Sequence, residues 1–224
     1  MFRDLSLGKR SALSGNWNLS VSPLVAPTMI SRLGSHYTVW LLLALPGIGL
    51  LLSFSVAPQD AESLLHPSGE YSARFMLVAL SATPLRMLFP RFRTTQWLVK
   101  NRRYFGVAAF AYALIHALLY LVDMGTLKLV LDEMFALGIW TGWAAFLIFI
   151  PLAVASNNFA VRSLGTRWKV LQRTVYAAAL FTLVHWIFVH NQIGPALVHF
   201  GPLVLLQIYR VAKQRTRRIA TRPT

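Results

Sequence analysis

The stretch VAAFAYALIHALLYLVD, residues 107–123, places a single imidazole, His116, near the middle of an otherwise apolar run. Such a run predicts a membrane-spanning helix, because the ~30 Å hydrocarbon layer is crossed by ~20 apolar helical residues. An imidazole in hydrocarbon is costly unless its polar atoms find partners. His116 is therefore the first candidate for a functional residue.

The composition of the chain favours a membrane protein over a soluble domain. Of its 224 residues, 56% are hydrophobic and only 13% are charged, and the mean hydropathy is +0.53. The net charge of +15 would suggest nucleic-acid binding in a soluble protein, but the basic residues cluster between apolar runs, so we expect no nucleic-acid partner. The chain has no cysteine, which excludes disulfides, thiolate zinc sites, iron–sulfur ligation and covalent haem attachment. Any bound metal must be held by His, carboxylate or Met.

The apolar runs predict an all-α polytopic protein whose six transmembrane helices form one bundle. We expect the spans at about residues 39–57, 71–89, 104–123, 137–155, 170–190 and 193–209. The expected organisation is an N-terminal arm at residues 1–36, a transmembrane domain at 37–210 and a basic tail at 211–224. Prolines inside several spans predict kinks.

The charge distribution predicts the orientation of these spans. With six spans, all but two of the 22 basic residues, Arg74 and Lys128, fall on one side, and all but one of the seven acids, Asp4, fall on the other. By the positive-inside rule we expect both termini in the cytoplasm. The basic tail is then a topology determinant that contacts anionic membrane lipid.

Two histidines lie at matching depth in spans three and five. His116 is 13 residues beyond Arg103, and His185 is 13 residues beyond Gln172, so both reach ~20 Å above the cytoplasmic edge. Two neutral imidazoles on facing helices are what a b-type haem needs as axial ligands. The alternative is a pair of buried histidines that hydrogen-bond to hydroxyl groups or backbone carbonyls.

The remaining polar residues of the spans have weaker assignments. We expect His66 in the first outer loop and His190 at the outer end of span five, where it cannot share an iron with His185. His199 is either a substitute ligand or a polar residue at a helix end. Arg74, near the level of the two histidines, either pairs with a haem propionate or extends to the outer headgroups.

Four segments resemble a known family in order and spacing: HPSGEYSARFMLVALSATPLR, KNRRYFGVAAFAYALIHALLY, PLAVASNNFAVRSLGTRWKVLQRTVY and LVHWIFV. They are similar to the ferric-reductase-like transmembrane superfamily, and within it to the haem-binding subunit of the methionine sulfoxide reductase system, the MsrQ (YedZ) type. The resemblance extends from about residue 60 to 210. It implies a six-helix protein with haem b, and it places His116 and His185 at haem-ligand positions.

The resemblance also implies partners and a direction of electron flow. Members take electrons from a flavin (FMN) or quinone donor and deliver them to a periplasmic molybdopterin-containing reductase that repairs oxidised methionine. The chain departs from the family in WKVLQRTVY, where Gln172 stands at the position of a usual histidine. Glutamine is not a usual haem ligand, so we expect one complete haem site near the outer face and no established ligand for a second, inner haem.

The leading hypothesis is a one-electron relay that docks its outer partner on the loops around residues 58–70 and 124–136. No G-x-G-x-x-G motif is present, so an external donor is required, and we do not expect this chain itself to reduce the sulfoxide. Two alternatives stay open. One is a stand-alone ferric or quinone-linked transmembrane reductase; the other is a haem-free membrane scaffold.

Overall fold

The computed structural model describes residues 36–56 and 61–220, and all of its regular elements there are helices. Residues 1–35 of the predicted N-terminal arm and residues 221–224 of the predicted tail lie outside the described ranges. The helices are α1 (His36–Val56), α2 (Ala61–Leu88), α3 (Arg93–Met124), α4 (Leu127–Glu133), α5 (Leu137–Val154), α6 (Asn158–Leu164), α7 (Thr166–Arg173), α8 (Val175–His190) and α9 (Ile193–Ala220). The prediction of an all-α protein is therefore confirmed for this part of the chain.

Four segments of the described chain are long and apolar enough to cross a membrane. They are α3, α5, the combined α7 and α8 segment Thr166–His190, and Ile193–Thr216 of α9. α1 contains a shorter apolar segment, Tyr37–Ser53. α2 has the necessary length but carries Glu62, Glu70 and Arg74, which lower its hydropathy.

The start of α2 differs from the predicted span. The apolar run predicted a helix from about residue 71, whereas α2 begins at Ala61, so His66 lies in a helix and not in an outer loop. The difference arises because hydropathy reports only the apolar part of a helix, while the backbone of a polar segment forms the same hydrogen bonds. The second predicted outer loop likewise contains a short helix, α4.

The helices form two closely packed pairs, α2 with α3 and α5 with α8, and α9 packs against α2 and α8. Alanines fill much of the shared core, including Ala73, Ala109, Ala178 and Ala196. Small side chains let membrane helices approach closely, which matters where apolar burial gives little driving force. α1 lies on the outside of the bundle, where Val39 and Leu43 pack against α3.

α1 is attached to α3 by one buried hydroxyl group. The hydroxyl of Tyr112 donates to the carbonyl of Leu43 at 3.0 Å and accepts the backbone N–H of Gly47. These two backbone groups are four residues apart, so the tyrosine hydroxyl stands between the partners of a helical hydrogen bond, next to Pro46. A Cβ at position 47 would lie 3.0 Å from the hydroxyl oxygen, which explains a glycine there.

Tyr112→Phe should destabilise the protein by about 1–3 kcal/mol, because it leaves a buried N–H and a buried carbonyl without their shared partner. Thermal unfolding in detergent measures the effect. Tyr71→Phe is the matched control: Tyr71 contacts the Tyr112 ring, at 5.6 Å between centroids, but its hydroxyl has no hydrogen bond in the described chain. Equal stability of the two variants would contradict the bridging role of Tyr112.

Candidate haem site

A cavity of about 450 Å³ lies between the two helix pairs and is lined by α2, α3, α5 and α8. We call it the central cavity. Its volume is in the range of cofactor pockets, roughly 300–1,000 Å³. Most of its lining is apolar, but four histidines line it: His66, His116, His185 and His190. The cavity thus combines apolar walls with a small number of nitrogen donors.

His116 and His185 face each other across the central cavity. Their ring centroids are 5.9 Å apart and their ring planes are nearly perpendicular, at 81°. One imidazole comes from α3 and the other from α8, so each helix pair contributes one ring. The two residues singled out by matching depth in the sequence are therefore neighbours in the structure.

Hydrogen bonds at Nδ1 fix both imidazoles. Nδ1 of His116 lies 3.0 Å from the carbonyl oxygen of Leu65 and 3.3 Å from the hydroxyl of Ser68. Nδ1 of His185 lies 2.7 Å from the carbonyl oxygen of Gly138. A carbonyl only accepts, so each Nδ1 carries the proton and each Nε2 has a free lone pair. Within the described chain neither Nε2 has a hydrogen-bond partner.

Two glycines make room for these rings. A Cβ at position 142 of α5 would lie 2.6 Å from Nδ1 of His185, and a Cβ at position 69 of α2 would lie 3.1 Å from the ring of His116. A Cβ added to Gly138, one turn before Gly142, would lie similarly close to Val189 of α8. Gly138 and Gly142 form a G-x-x-x-G pattern, which allows close helix contact in membranes.

The donor set fits the iron of a haem. Among the described residues, no three His, Asp or Glu side chains are arranged so that they could hold a metal ion by themselves. A haem would supply its remaining ligands from the porphyrin. A haem bound in the central cavity would be held by His116 and His185, whose Nε2 atoms are free to donate to its iron.

A second histidine pair, at the rim of the central cavity, was missed by the sequence analysis. Nδ1 of His66 and Nε2 of His190 are 3.2 Å apart, and the rings meet edge to face. Glu70 lies 3.6 Å from Nε2 of His66 and forms an ion pair with Arg74 at 2.9 Å. His66 reaches His190 because it lies in the first helical turns of α2. A search for apolar runs does not detect those turns.

Arg74 lies beside the central cavity and not in its lining. Its guanidinium pairs with Glu70, which does line the cavity, and its Nε lies 3.5 Å from Nε2 of His199. The other ring nitrogen of His199 is 2.8 Å from the carbonyl of Pro195. Both nitrogens of His199 therefore face protein partners, which disfavours its role as a substitute ligand.

A model of the family described as "Ferric reductase like transmembrane component" matches residues 68–194. This segment begins in α2, ends at the start of α9 and contains both His116 and His185. The chain belongs to the ferric-reductase-like transmembrane family. Together with the four apolar helices, this membership identifies a multi-pass membrane protein.

Curated relatives within the ferric-reductase-like family are about one-third identical to the chain over the aligned residues. Three of them are named protein-methionine-sulfoxide reductase heme-binding subunit MsrQ. The protein of Azospira oryzae is 32% identical over 73% of this chain and 71% of its own length, and that of Rhizobium meliloti is 35% identical over 67% and 69%. The protein of Brucella anthropi is 29% identical over 84% and 89%. No solved structure matches the chain.

The position that departs from the family pattern lies outside the central cavity. Gln172 is in α7, and its side-chain amide donates to the carbonyl of Leu152 at 3.4 Å. Arg103, which is 13 residues before His116, donates to the side chain of Asn158 at 2.9 Å and lies over the ring of Trp168. Both side chains thus have protein partners of their own.

Proposed function

We propose that the chain is a membrane electron carrier that holds one haem b between His116 and His185 and serves a periplasmic methionine sulfoxide reductase. One observation carries the proposal: two imidazoles from separate helix pairs meet across a cavity with Nδ1 bonded and Nε2 free. The bound haem would supply a reversible one-electron couple of its iron. The side chains of the protein do not need to change covalently.

The protein would set the properties of this couple through the surroundings of the ligands. The carbonyls of Leu65 and Gly138 hold each imidazole in one tautomer and orientation, and a hydrogen bond to Nδ1 raises the basicity of the ligating nitrogen. Apolar walls exclude water, which favours the less charged state of the iron site. Arg74 remains the candidate to pair with a propionate, once it is released from Glu70.

We propose a six-span topology in the bacterial inner membrane with α1, α2, α3, α5, α8 and α9 as the spans. The basic ends of these helices would lie in the cytoplasm, so that both termini are cytoplasmic and the central cavity opens to the periplasmic half. The transmembrane domain would extend from residue 37 to 210, with a basic tail to residue 224 that begins as the helical continuation of α9.

The names of the relatives support the proposed partner. The relatives are named as haem-binding subunits of a methionine sulfoxide reductase, which supports such a reductase as the acceptor. Its periplasmic location and its molybdopterin cofactor are proposed from the family resemblance alone. The surface of this chain that binds the acceptor would comprise α4 and the outer end of α2, where the sequence predicted a loop. Quinol or a flavin reductase with FMN is the proposed electron donor.

The test is the optical spectrum of the purified protein in detergent, before and after reduction with dithionite. We expect the bands of a low-spin b-type haem in both states, and one haem per chain by the pyridine haemochrome assay. A colourless protein after expression with ample haem would refute the electron-carrier function. Two haems per chain would show that Gln172 does not prevent a second site.

The acceptor is tested separately with the reduced holoprotein. Mixed with a purified periplasmic methionine sulfoxide reductase from the same organism, it should be reoxidised when methionine sulfoxide is present. Rapid reoxidation by ferric citrate and none by that enzyme would favour a stand-alone ferric reductase instead.

A further inference from the structure

A second concave site lies on the outside of the bundle, between α8 and α9. This lateral groove of about 630 Å³ is distinct from the central cavity and shares no lining residue with it. Its walls are apolar, with Leu180 and Leu183 on α8 facing Leu203 and Val204 on α9. Leu180 and Val204 are exposed to the surroundings, so the groove opens sideways to the membrane.

One end of the lateral groove is polar and basic. Tyr176, Gln207 and Arg215 line this end. Arg210 is fixed next to it, because its guanidinium donates to the hydroxyl of Tyr176 at 2.6 Å and approaches the side-chain oxygen of Gln207 at 3.5 Å. Two guanidinium groups therefore stand where the apolar walls end.

Within residues 36–56 and 61–220, these two arginines form no ion pair with a carboxylate. Among the described residues, Glu70 is the carboxylate of both ion pairs, and it lies toward the opposite end of the bundle. Arg215 is exposed and makes no hydrogen bond in the described chain. A charge-complementary occupant of this groove is therefore an anion with an apolar body.

The dimensions of the groove match one membrane leaflet. From Phe200 to Val211, both in its lining, α9 rises by about 16 Å. Half of the ~30 Å hydrocarbon layer is about 15 Å. A molecule that fills the groove would thus place its apolar part in the leaflet next to the basic residues, and its head group at the membrane surface beside Arg210 and Arg215.

We infer that the lateral groove is a binding site for one anionic phospholipid. An acyl chain lies along Leu180, Leu183 and Val204, and the phosphate accepts hydrogen bonds from the guanidinium groups of Arg210 and Arg215. Arginine suits this role because its planar fork of donors matches phosphate oxygens. The site does not depend on haem and can be tested on the protein whether or not haem is bound.

The test is native mass spectrometry of the delipidated full-length protein with dioleoyl phosphatidylglycerol or dioleoyl phosphatidylcholine. The two lipids share their acyl chains and differ in net charge. We expect one tightly bound phosphatidylglycerol per chain and about 30-fold weaker binding of phosphatidylcholine, since each of the two arginines near the surface should strengthen binding of an anionic lipid about fivefold. Equal binding of the two lipids would overturn the inference.

Variants locate the site on the groove. Arg215→Gln, and Arg210→Gln together with Arg215→Gln, should reduce the preference for phosphatidylglycerol stepwise. Val204→Trp should weaken both lipids by filling the groove. The matched control is Arg162→Gln with Arg167→Gln, which removes the same charge from exposed residues outside the groove.

Three further results would overturn the inference. An equal loss of preference in the control variant would mean that binding follows general surface charge. Displacement of phosphatidylglycerol by a neutral isoprenoid quinone would assign the groove to a prenyl tail. A lipid-free dimer that dissociates on lipid addition would show that a second copy covers the groove.

Discussion

His116→Ala and His185→Ala should each remove the low-spin haem spectrum from the purified protein. Each substitution would remove one of the two proposed haem ligands, whose rings face each other across the central cavity. Loss of a residue that only supports a ligand typically weakens metal binding by 10–100-fold, so loss of the ligand itself should cost at least about 100-fold. Haem per chain after purification, and the bands of the reduced protein, measure the effect.

His199→Ala is the matched control for the ligand variants. It removes an imidazole of the same bundle whose two nitrogens face Pro195 and Arg74, and it should keep one haem per chain. A variant at position 116 or 185 that retains a full, low-spin haem would contradict the proposed ligands. Loss of haem in the His199 variant alone would transfer the ligand role to that residue.

Gly142→Ala should weaken haem binding by about 10–100-fold although position 142 bears no ligand. The added methyl group would lie 2.6 Å from Nδ1 of His185, where the ring is also bound to the carbonyl of Gly138. The imidazole must then rotate or α5 must move away from α8, and either change displaces Nε2. Titration of the apoprotein with haem gives the affinity, and the spectrum shows whether the iron becomes high-spin.

Gly106→Ala is the control for the glycine substitution. Gly106 lies in a span, in α3, and a Cβ there meets nothing within 4 Å. The alanine variant should bind haem like the unmodified protein, because replacing glycine by alanine within a helix is otherwise slightly favourable. If Gly142→Ala binds haem equally well, the close contact with His185 does not position the ligand.

Hydropathy predicted the membrane helices well where their whole length is apolar. α5 begins at Leu137 and α9 at Ile193, both as expected from the sequence. The predicted start of α2 was wrong because residues 61–70 include Glu62, His66 and Glu70, which interrupt the apolar run and line the central cavity. The helical continuation of α9 to Ala220 was not predicted either, since a basic segment carries no hydropathy signal.

The site was predictable to the extent that depth along a helix is encoded in residue spacing. His116 and His185 share a level, and this property suggested their contact before the family resemblance was considered. The contact between His66 and His190 depends on how α2 and α8 rotate about their axes, which the spacing of a single span does not specify. The spacing of Gly138 and Gly142 was a readable signal for close helix contact, but not for which side chain fills the space.

The bundle consists of two helix pairs with a cavity between them, and each pair contributes one of the two proposed haem ligands. A cofactor held by both rings would therefore bind only the assembled form, in which the two pairs are in contact. By mass action it stabilises that form by RT ln(1 + [L]/Kd), where L is the free cofactor. The supply of haem would therefore influence how long the folded protein persists in the membrane. Chains made without haem would be less stable and would be degraded first by proteases.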